Sequence, residues 1–297
     1  MTMIYAIVGP TGSGKTSLAC SLAKDFNLPI INADAFQIYQ EMNIGTAKIE
    51  QNDPLYKSHY LIDIVKPNQN YSVKQYRDDF DGIIHQLLKE HKDIIICGGT
   101  GLYLRAALYD YSFPEEEIVD TSKYDSMSNE KLYELLKKLD PQSTEKIHMN
   151  NRKRVIRALS IAESGGLTKS ENIANQEHIL RFPKEEVQIL FLNPNREQLY
   201  QTINERVEQM FANGLVDEVR ELLQKYQLSQ TASQAIGYKE TIDYLNDLTS
   251  LEECKELIKK RSRNYAKRQV TFFKHQFETI EFIDKNSLFE YLKEKLS

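Results

Sequence analysis

Gly9-Pro10-Thr11-Gly12-Ser13-Gly14-Lys15-Thr16 stands behind the apolar run Ile4-Tyr5-Ala6-Ile7-Val8 and ahead of Ser17-Leu18-Ala19-Cys20-Ser21-Leu22-Ala23-Lys24. The first run reads as a buried strand. The second is a helix former with Leu18, Leu22 and Ala23 on one face. The eight residues between them fit G-x-x-x-x-G-K-[ST] in the strand–turn–helix setting that gives this pattern its meaning. Gly9, Gly12 and Gly14 let the backbone wrap closely, so that successive N–H groups point at an anion near a helix N-terminus. Lys15 adds a positive charge, and Thr16 offers a hydroxyl to Mg²⁺. The stretch therefore predicts a phosphorylated ligand.

Around it lies a chain of 297 residues, long enough for one large domain or two, with 38 basic residues against 43 acidic ones. The net charge of −5 advertises no global positive field for nucleic acid, so local clusters must be judged one by one. Cys20, Cys97 and Cys254 lie far apart and form no C-x-x-C pair. That argues against a zinc site and fits a reducing compartment. No leader is read ahead of Ile4 and no apolar run has membrane length, so a soluble, cytoplasmic protein is expected.

Further strands frame the loop. Leu28 to Asp34 reads as a strand ending in a carboxylate, and such strand ends face the ligand crevice of open α/β sheets. An aspartate there can equally cap a turn or a helix, which is the commoner use. Ser72 precedes a helix with Tyr76, Phe80, Ile83, Ile84, Leu87 and Leu88 on one face. Asp93 to Cys97 is another buried strand, running into Gly98-Gly99-Thr100-Gly101-Leu102-Tyr103. A motor or switch ATPase would normally close such a strand with a magnesium-holding aspartate, and none stands here. The glycines suit either close approach to a ligand or a plain tight turn.

Near Tyr111-Ser112-Phe113-Pro114 the character changes. Only helices are expected from Glu115 to about Asn175. One has Leu132, Leu135, Leu136 and Leu139 as its stripe, stopped by Pro141; another has Val155, Ile156, Leu159 and Ala162 and ends at Gly165-Gly166. Lys146, Arg152, Lys153, Arg154 and Arg157 cluster there without an acid after Glu145, which suits either a solvated face or contact with phosphate backbone. The sheet resumes at Gln188 to Leu192. A helix follows with Leu199, Tyr200, Ile203, Val207, Met210 and Phe211 as its core stripe, and Arg206 lies off that stripe, where it could reach the site. Another helix spans Val216 to Tyr226, and a short element follows at Ala235 to Glu240. The last long helix, Leu251 to about Phe277, spans roughly 40 Å. Its stripe reads Cys254, Ile258, Arg261, Tyr265, Arg268 and Phe272, with Lys260, Arg263, Lys267 and Lys274 beside it. Arginines on a buried face need anionic partners, and the two basic rows favour nucleic acid. The fold class is thus α/β, a P-loop NTPase-like parallel sheet flanked by helices, with an all-helical insertion. The core is expected at 1–114 and 180–297 and the insertion at 115–179.

The phosphate loop, Asn32 to Tyr39, Gly45-Thr46-Ala47-Lys48, His59 to Asp63, Gly98 to Tyr103, Arg154 to Leu159, Ile236 to Glu240 and Arg263 to Gln269 stand in an order that resembles the tRNA dimethylallyltransferases, also called tRNA isopentenyltransferases. The resemblance covers nearly the whole chain. It implies transfer of a dimethylallyl group from dimethylallyl diphosphate to N6 of adenine 37, beside the anticodon, with Mg²⁺ as cofactor. No membrane partner is expected, since no apolar run has spanning length, and a monomer is expected. By the same resemblance, Asp34 matches a proposed general base, Thr100 a residue near the reacting amine, and Arg206 an arginine on the diphosphate. Gly9 through Thr16, with Pro10, Thr11 and Ser13 among them, would hold the diphosphate or a nucleotide, and Thr16 the metal. Contacts with tRNA are implied for Asp34, Ala35, Phe36 and Gln37. They are implied too for Lys153, Arg154, Val155, Ile156 and Arg157, for Gly237, Tyr238 and Lys239, and for Arg263 and Lys267. Ala35 departs from the usual serine, and Phe272 from a common tryptophan. Three alternatives share the loop. A small-molecule kinase would have a short lid instead of the insertion, an ATP-driven RNA-binding or remodelling protein would hydrolyse ATP, and a free-adenylate prenyltransferase would not need the basic helices.

Overall fold

All five residues of Ile4–Val8 (β1) are buried, because the strand is hydrogen-bonded on both edges and covered on both faces. The computed structural model describes residues 2–90, 92–110, 113, 120–164, 168, 170, 171 and 179–297. The expected change of character at Tyr111, Ser112 and Pro114, the start of the insertion at 115, and the helix stop at Gly165-Gly166 lie outside the described residues. In chain order, Lys15–Phe26 (α1), Ile30–Asn32 (β2), His59–Tyr60 (β3), Val73–Lys89 (α2), Ile94–Gly98 (β4) and Gly101–Leu108 (α3) follow. Then come Asn129–Leu139 (α4), Pro141–Lys146 (α5) and Arg152–Glu163 (α6). Val187–Leu192 (β5), Arg196–Ala212 (α7), Leu215–Lys225 (α8), Tyr238–Leu245 (α9), Leu251–Gln276 (α10), Ile280–Phe282 (β6) and Lys285–Leu296 (α11) complete the series. No helix among the described residues is long and apolar enough to cross a membrane.

The six strands make one parallel sheet in the order β3-β2-β4-β1-β5-β6. Ile4 pairs with Ile94 on one side and Val187 on the other. On one face Leu18 and Leu22 of α1 meet Leu288 and Leu292 of α11 over Tyr5, Ile7 and Ile30. On the other, Tyr76 of α2 stacks on Tyr103 of α3 with centroids 4.0 Å apart and donates its hydroxyl to the Asn32 carbonyl at 3.0 Å. Ser72 and Gln75 close a reciprocal cap at the start of α2, which fixes where that helix begins.

The chain divides into two compact units, Met1–Leu108 with Phe182–Ser297, and Tyr109–Arg181. The second has its own core of Tyr124, Leu132, Leu136, Ile147, Val155, Ala158 and Leu159. Leu139, expected on the buried stripe, is 43% exposed, since α4 ends there. Pro141 opens α5, with Asp140 accepting from the Ser143 amide as its cap. β6 and α11 lie beyond the last element read from the sequence.

Candidate active site

Gly12 and Gly14 have φ of +81° and +85°, a region that side chains rarely tolerate, and a Cβ on Gly9 would lie 2.5 Å from the Leu192 carbonyl oxygen. These constraints carry the loop close under the sheet and into α1, which starts at Lys15 with no side-chain cap on its first N–H groups. Uncapped amides at a helix N-terminus are the anion-binding arrangement. Lys15 is buried and its Nζ curls back to the Pro10 carbonyl at 3.3 Å. Burial pulls its pKa down, opposed by Cys97 and Asp34 nearby. Such a cation gains from an incoming anion.

Asp34 sits just past β2. Its amide donates to Asn32 Oδ1 at 3.1 Å, and its Oδ1 accepts from the Phe36 amide at 3.0 Å. Its Oδ2 has no partner among the described residues. Thr100 Oγ1 accepts from the Ala35 amide at 3.0 Å, so the turn after β4 anchors the Asp34 stretch. Across from them Arg206 of α7 donates from Nη1 to the Thr11 hydroxyl at 3.0 Å, while its buried Nε has no partner among the described residues. Burial lowers the Arg206 pKa, with Asp34 acting against that.

Two cavities meet at these residues. The first, about 470 Å³, is the more polar of the two and runs along Gly12, Lys15, Thr16 and Asn32. The second, about 270 Å³, has apolar walls from Ile203, Val207, Met210, Ala235, Ile236 and Ile258, with Phe36, Tyr265 and Arg268 also lining it. Thr11, Asp34, Thr46 and Arg206 line both. The arrangement offers a phosphate cradle and a greasy chamber on either side of one carboxylate and one arginine.

The family pattern described as IPP transferase matches residues 37–276. The chain belongs to the IPP transferase family. A tRNA dimethylallyltransferase of Clostridioides difficile is 40% identical over 99% of this chain and 98% of its own length. That of Anoxybacillus flavithermus is 41% identical over 92% and 88%. Among solved structures, the tRNA delta(2)-isopentenylpyrophosphate transferase of Staphylococcus epidermidis covers 100% of this chain and 99% of its own, with 34% identity and a TM-score of 0.69. A eukaryotic dimethylallyltransferase described as acting on tRNA covers 99% of this chain and 77% of its own, with 27% identity and a TM-score of 0.79.

Within this IPP transferase the remaining residues singled out from the sequence take several places. Phe36 faces the chamber, and Gln37 donates to the Thr46 carbonyl at 3.1 Å. Arg263 donates to Asn204 Oδ1 at 2.6 Å, while Lys267 is exposed. Lys153, Arg154 and Arg157 are exposed on α6.

Several expectations need correction. Val155 is fully buried in the helical core, so its side chain does not face outward as an RNA contact would require, while Ile156 is half-buried against that core. Tyr238 is also fully buried and donates to Glu218, while Gly237 caps α9 at φ +98° with its amide on Glu240. Lys239 is half-buried and reaches Gln234. Arg261 is paired with buried Glu240, which replaces the ligand phosphate expected of it. The buried face of α10 is Cys254, Ile258, Ala266, Gln269 and Phe273, which agrees with the stripe read in the sequence at Cys254 and Ile258 and lies one residue on from it beyond them. That rotation leaves Tyr265 and Arg268 facing the chamber.

Two sets of residues had no role assigned from the sequence. Gln269 accepts from the Thr11 amide at 2.9 Å and donates to the Gly99 carbonyl at 2.8 Å, tying the phosphate loop to the turn after β4. A Cβ on Gly99 would lie 2.3 Å from its Nε2. Ile203, Val207 and Met210 read as core, and they are buried, but the core they form is a chamber wall.

Proposed function

We propose that this IPP transferase is a tRNA dimethylallyltransferase, moving the dimethylallyl group of dimethylallyl diphosphate onto N6 of adenine 37 in the anticodon loop. The single observation that carries the reading is the junction of the polar cradle and the apolar chamber at Asp34 and Arg206. An allylic diphosphate has one charged end and one greasy end, and it must place its reactive carbon where the two environments meet.

The exocyclic amine of adenine is a poor nucleophile, since its lone pair is delocalised into the ring. Attack on the allylic carbon makes that nitrogen acidic, and Asp34 Oδ2 accepts the proton. As the carbon–oxygen bond breaks, charge moves onto the departing diphosphate. Loop amides, Lys15 and Arg206 stabilise it there. Thr16 is half-buried in the first turn of α1 and lines the cradle, which fits a hard cation bound by one hydroxyl together with phosphate and water oxygens. When bound, Mg²⁺ offsets charge on the leaving group. The base must leave its stack to enter, and Phe36, Tyr265 and the Arg268 guanidinium, 5.6 Å from the Tyr265 ring centroid, offer flat faces to receive it.

The helical unit, with Lys153, Arg154 and Arg157 on α6, is assigned to the anticodon stem-loop, and Arg263 and Lys267 to the RNA beside the site. One chain supplies every group named, so a monomer suffices. ATP hydrolysis is disfavoured at Gly98, where any Cβ would lie 2.1 Å from the Ala33 carbonyl oxygen and a magnesium-holding aspartate has no room. Mass spectrometry of tRNA incubated with protein and dimethylallyl diphosphate tests the reading. Prenylated adenosine is expected. RNA-stimulated ATP turnover without that product would overturn it.

A further inference from the structure

Gly45-Thr46-Ala47-Lys48 and Ile236 to Glu240 lie far apart in the chain and meet at Glu218 of α8. Glu218 Oε2 accepts from the amides of Asn43 at 3.0 Å and Ile44 at 2.8 Å. Its Oε1 accepts from the Gly45 amide at 3.4 Å and the Tyr238 hydroxyl at 2.6 Å. The buried Tyr238 ring lies where a Cβ on Gly45 would stand, with its nearest atom 2.4 Å from that point. Burial, with the Glu218 carboxylate beside it, raises the Tyr238 pKa, so the phenol stays a donor. From within, Lys48 Nζ reaches the Tyr39 carbonyl, Asn43 Oδ1 and the Asp63 carboxylate, a pair shut off from water.

The segment needs these holds. Ala47 sits at φ +48°, in a region that residues other than glycine seldom adopt. What the segment presents is functional surface: Thr46 lines both cavities, and its carbonyl receives Gln37.

We propose that Glu218 is a positioning residue of the transfer reaction, holding the amides of residues 43–45 so that Thr46 and Gln37 keep the acceptor base aligned at the junction of cradle and chamber. The proposal rests on the function argued above. Glu218 touches no reacting atom. A carboxylate suits the task because both its oxygens are acceptors and four donors converge on it, whereas an amide would turn one side into a donor. Thr46 also borders the cradle, but the groups that would grip phosphate, the loop amides and Lys15, belong to residues 9–16, which Glu218 does not touch.

The test compares Glu218→Ala, Glu218→Gln and Tyr238→Phe with the parent protein. Three measurements are made: single-turnover prenylation of tRNA at saturating donor, titration with inorganic pyrophosphate, and hydrogen exchange of the amides of residues 43–45. Misplacement by about an ångström costs on the order of 10²-fold, so Glu218→Ala should slow transfer by about that factor. Glu218→Gln, which keeps one acceptor oxygen, should cost roughly tenfold, and Tyr238→Phe less. Pyrophosphate affinity should stay within about twofold, and protection of the three amides should fall in the same order as the rates. Adding Gln37→Ala to Glu218→Ala should cost little more, because the two act through one segment. A Glu218→Ala rate within about threefold of the parent, or a loss of pyrophosphate affinity matching the loss of rate, overturns the proposal. If Glu218→Ala fails to fold, Glu218→Gln and Tyr238→Phe carry the same comparison. A parent protein that makes no prenylated adenosine sinks the functional reading and this inference with it. An active parent with unaffected variants sinks only this one.

Discussion

The phosphate cradle and the apolar chamber share Arg206 and Asp34, yet they are built by different means. The cradle is organised around eight consecutive residues, whose backbone forms one wall, tied from outside by Gln269 and held close to the Leu192 carbonyl. The chamber draws its walls from separate segments: Phe36 after β2, Ile203, Val207 and Met210 on α7, Ala235 and Ile236 ahead of α9, and Ile258 and Tyr265 on α10. The division has a chemical consequence. On the proposed function, backbone amides and Lys15 would grip phosphate oxygens and treat every diphosphate alike, so the choice of which molecule reacts would fall to the chamber and to the junction.

The junction should show the largest effects. Asp34→Asn keeps the shape and the hydrogen bond from the Phe36 amide but removes the proton acceptor, and single-turnover transfer should fall by about 10²–10⁴-fold with pyrophosphate affinity unchanged. A variant within a few-fold of the parent would take Asp34 out of the base role. Arg206→Lys should come next, at about 10²–10³-fold. The guanidinium donates to the Thr11 hydroxyl with Nη1 and keeps a buried Nε with no partner among the described residues, whereas an ammonium has no planar fork to serve both directions. If Arg206→Lys weakened pyrophosphate binding and left the rate of bound donor alone, Arg206 would belong to the cradle and not to the junction.

The same contrast explains what could be read in advance. Gly9 to Thr16 is legible because the contacts it makes are local: the glycines, the lysine and the helix start are contiguous, so spacing carries the geometry. The apolar runs of β1 and β4 are legible for a similar reason, since strands buried on both faces need unbroken aliphatic sequence. The chamber was not legible. A helical stripe such as Ile203, Val207 and Met210 has the same spacing whether it packs on a neighbour or walls a cavity, and periodicity does not tell the two apart. On α10 the reading slipped by one residue because Ala266 and Gln269, both buried, carry little hydrophobic signal, while Tyr265 and Phe272 carry much. Arg261 looked like a ligand contact because its partner, Glu240, lies on another helix.

Specificity should yield a smaller, more selective change. Val207 is buried in the chamber wall, and Val207→Ala removes two methyl groups there. The ratio of dimethylallyl to geranyl diphosphate used should drop by about tenfold, as one or two methylenes are worth in an apolar site. Pyrophosphate should bind as before. An equal loss for both donors would mean that the chamber does not hold the prenyl tail.

The smallest effects on chemistry belong to the helical unit, where Arg152 and Arg154 are separated by one residue and differ in kind. Arg154 is exposed on α6, whereas Arg152 turns inward. Its Nη1 donates to the Met127 carbonyl at 2.7 Å and to Asn129 Oδ1 at 3.2 Å, and its Nη2 donates to the carbonyls of Tyr124 and Asp125. The guanidinium thus closes the turn before α4 onto the start of α6, using donors that a phosphate would otherwise receive. Arg154→Ala should lower the slope of log tRNA affinity against log salt by about one and leave thermal stability nearly unchanged. Arg152→Ala should do the reverse. Carbonyls of the turn lose charge-assisted donors, so unfolding of the helical unit should become easier by about 1–3 kcal/mol. The salt slope should hold while the protein stays folded. Arg152→Lys should recover only part of the loss, since one ammonium cannot span the positions of both Nη atoms. A fall in salt slope for Arg152→Ala without a change in stability would place Arg152 on the RNA after all, and the contact surface of α6 would then begin at its first residue.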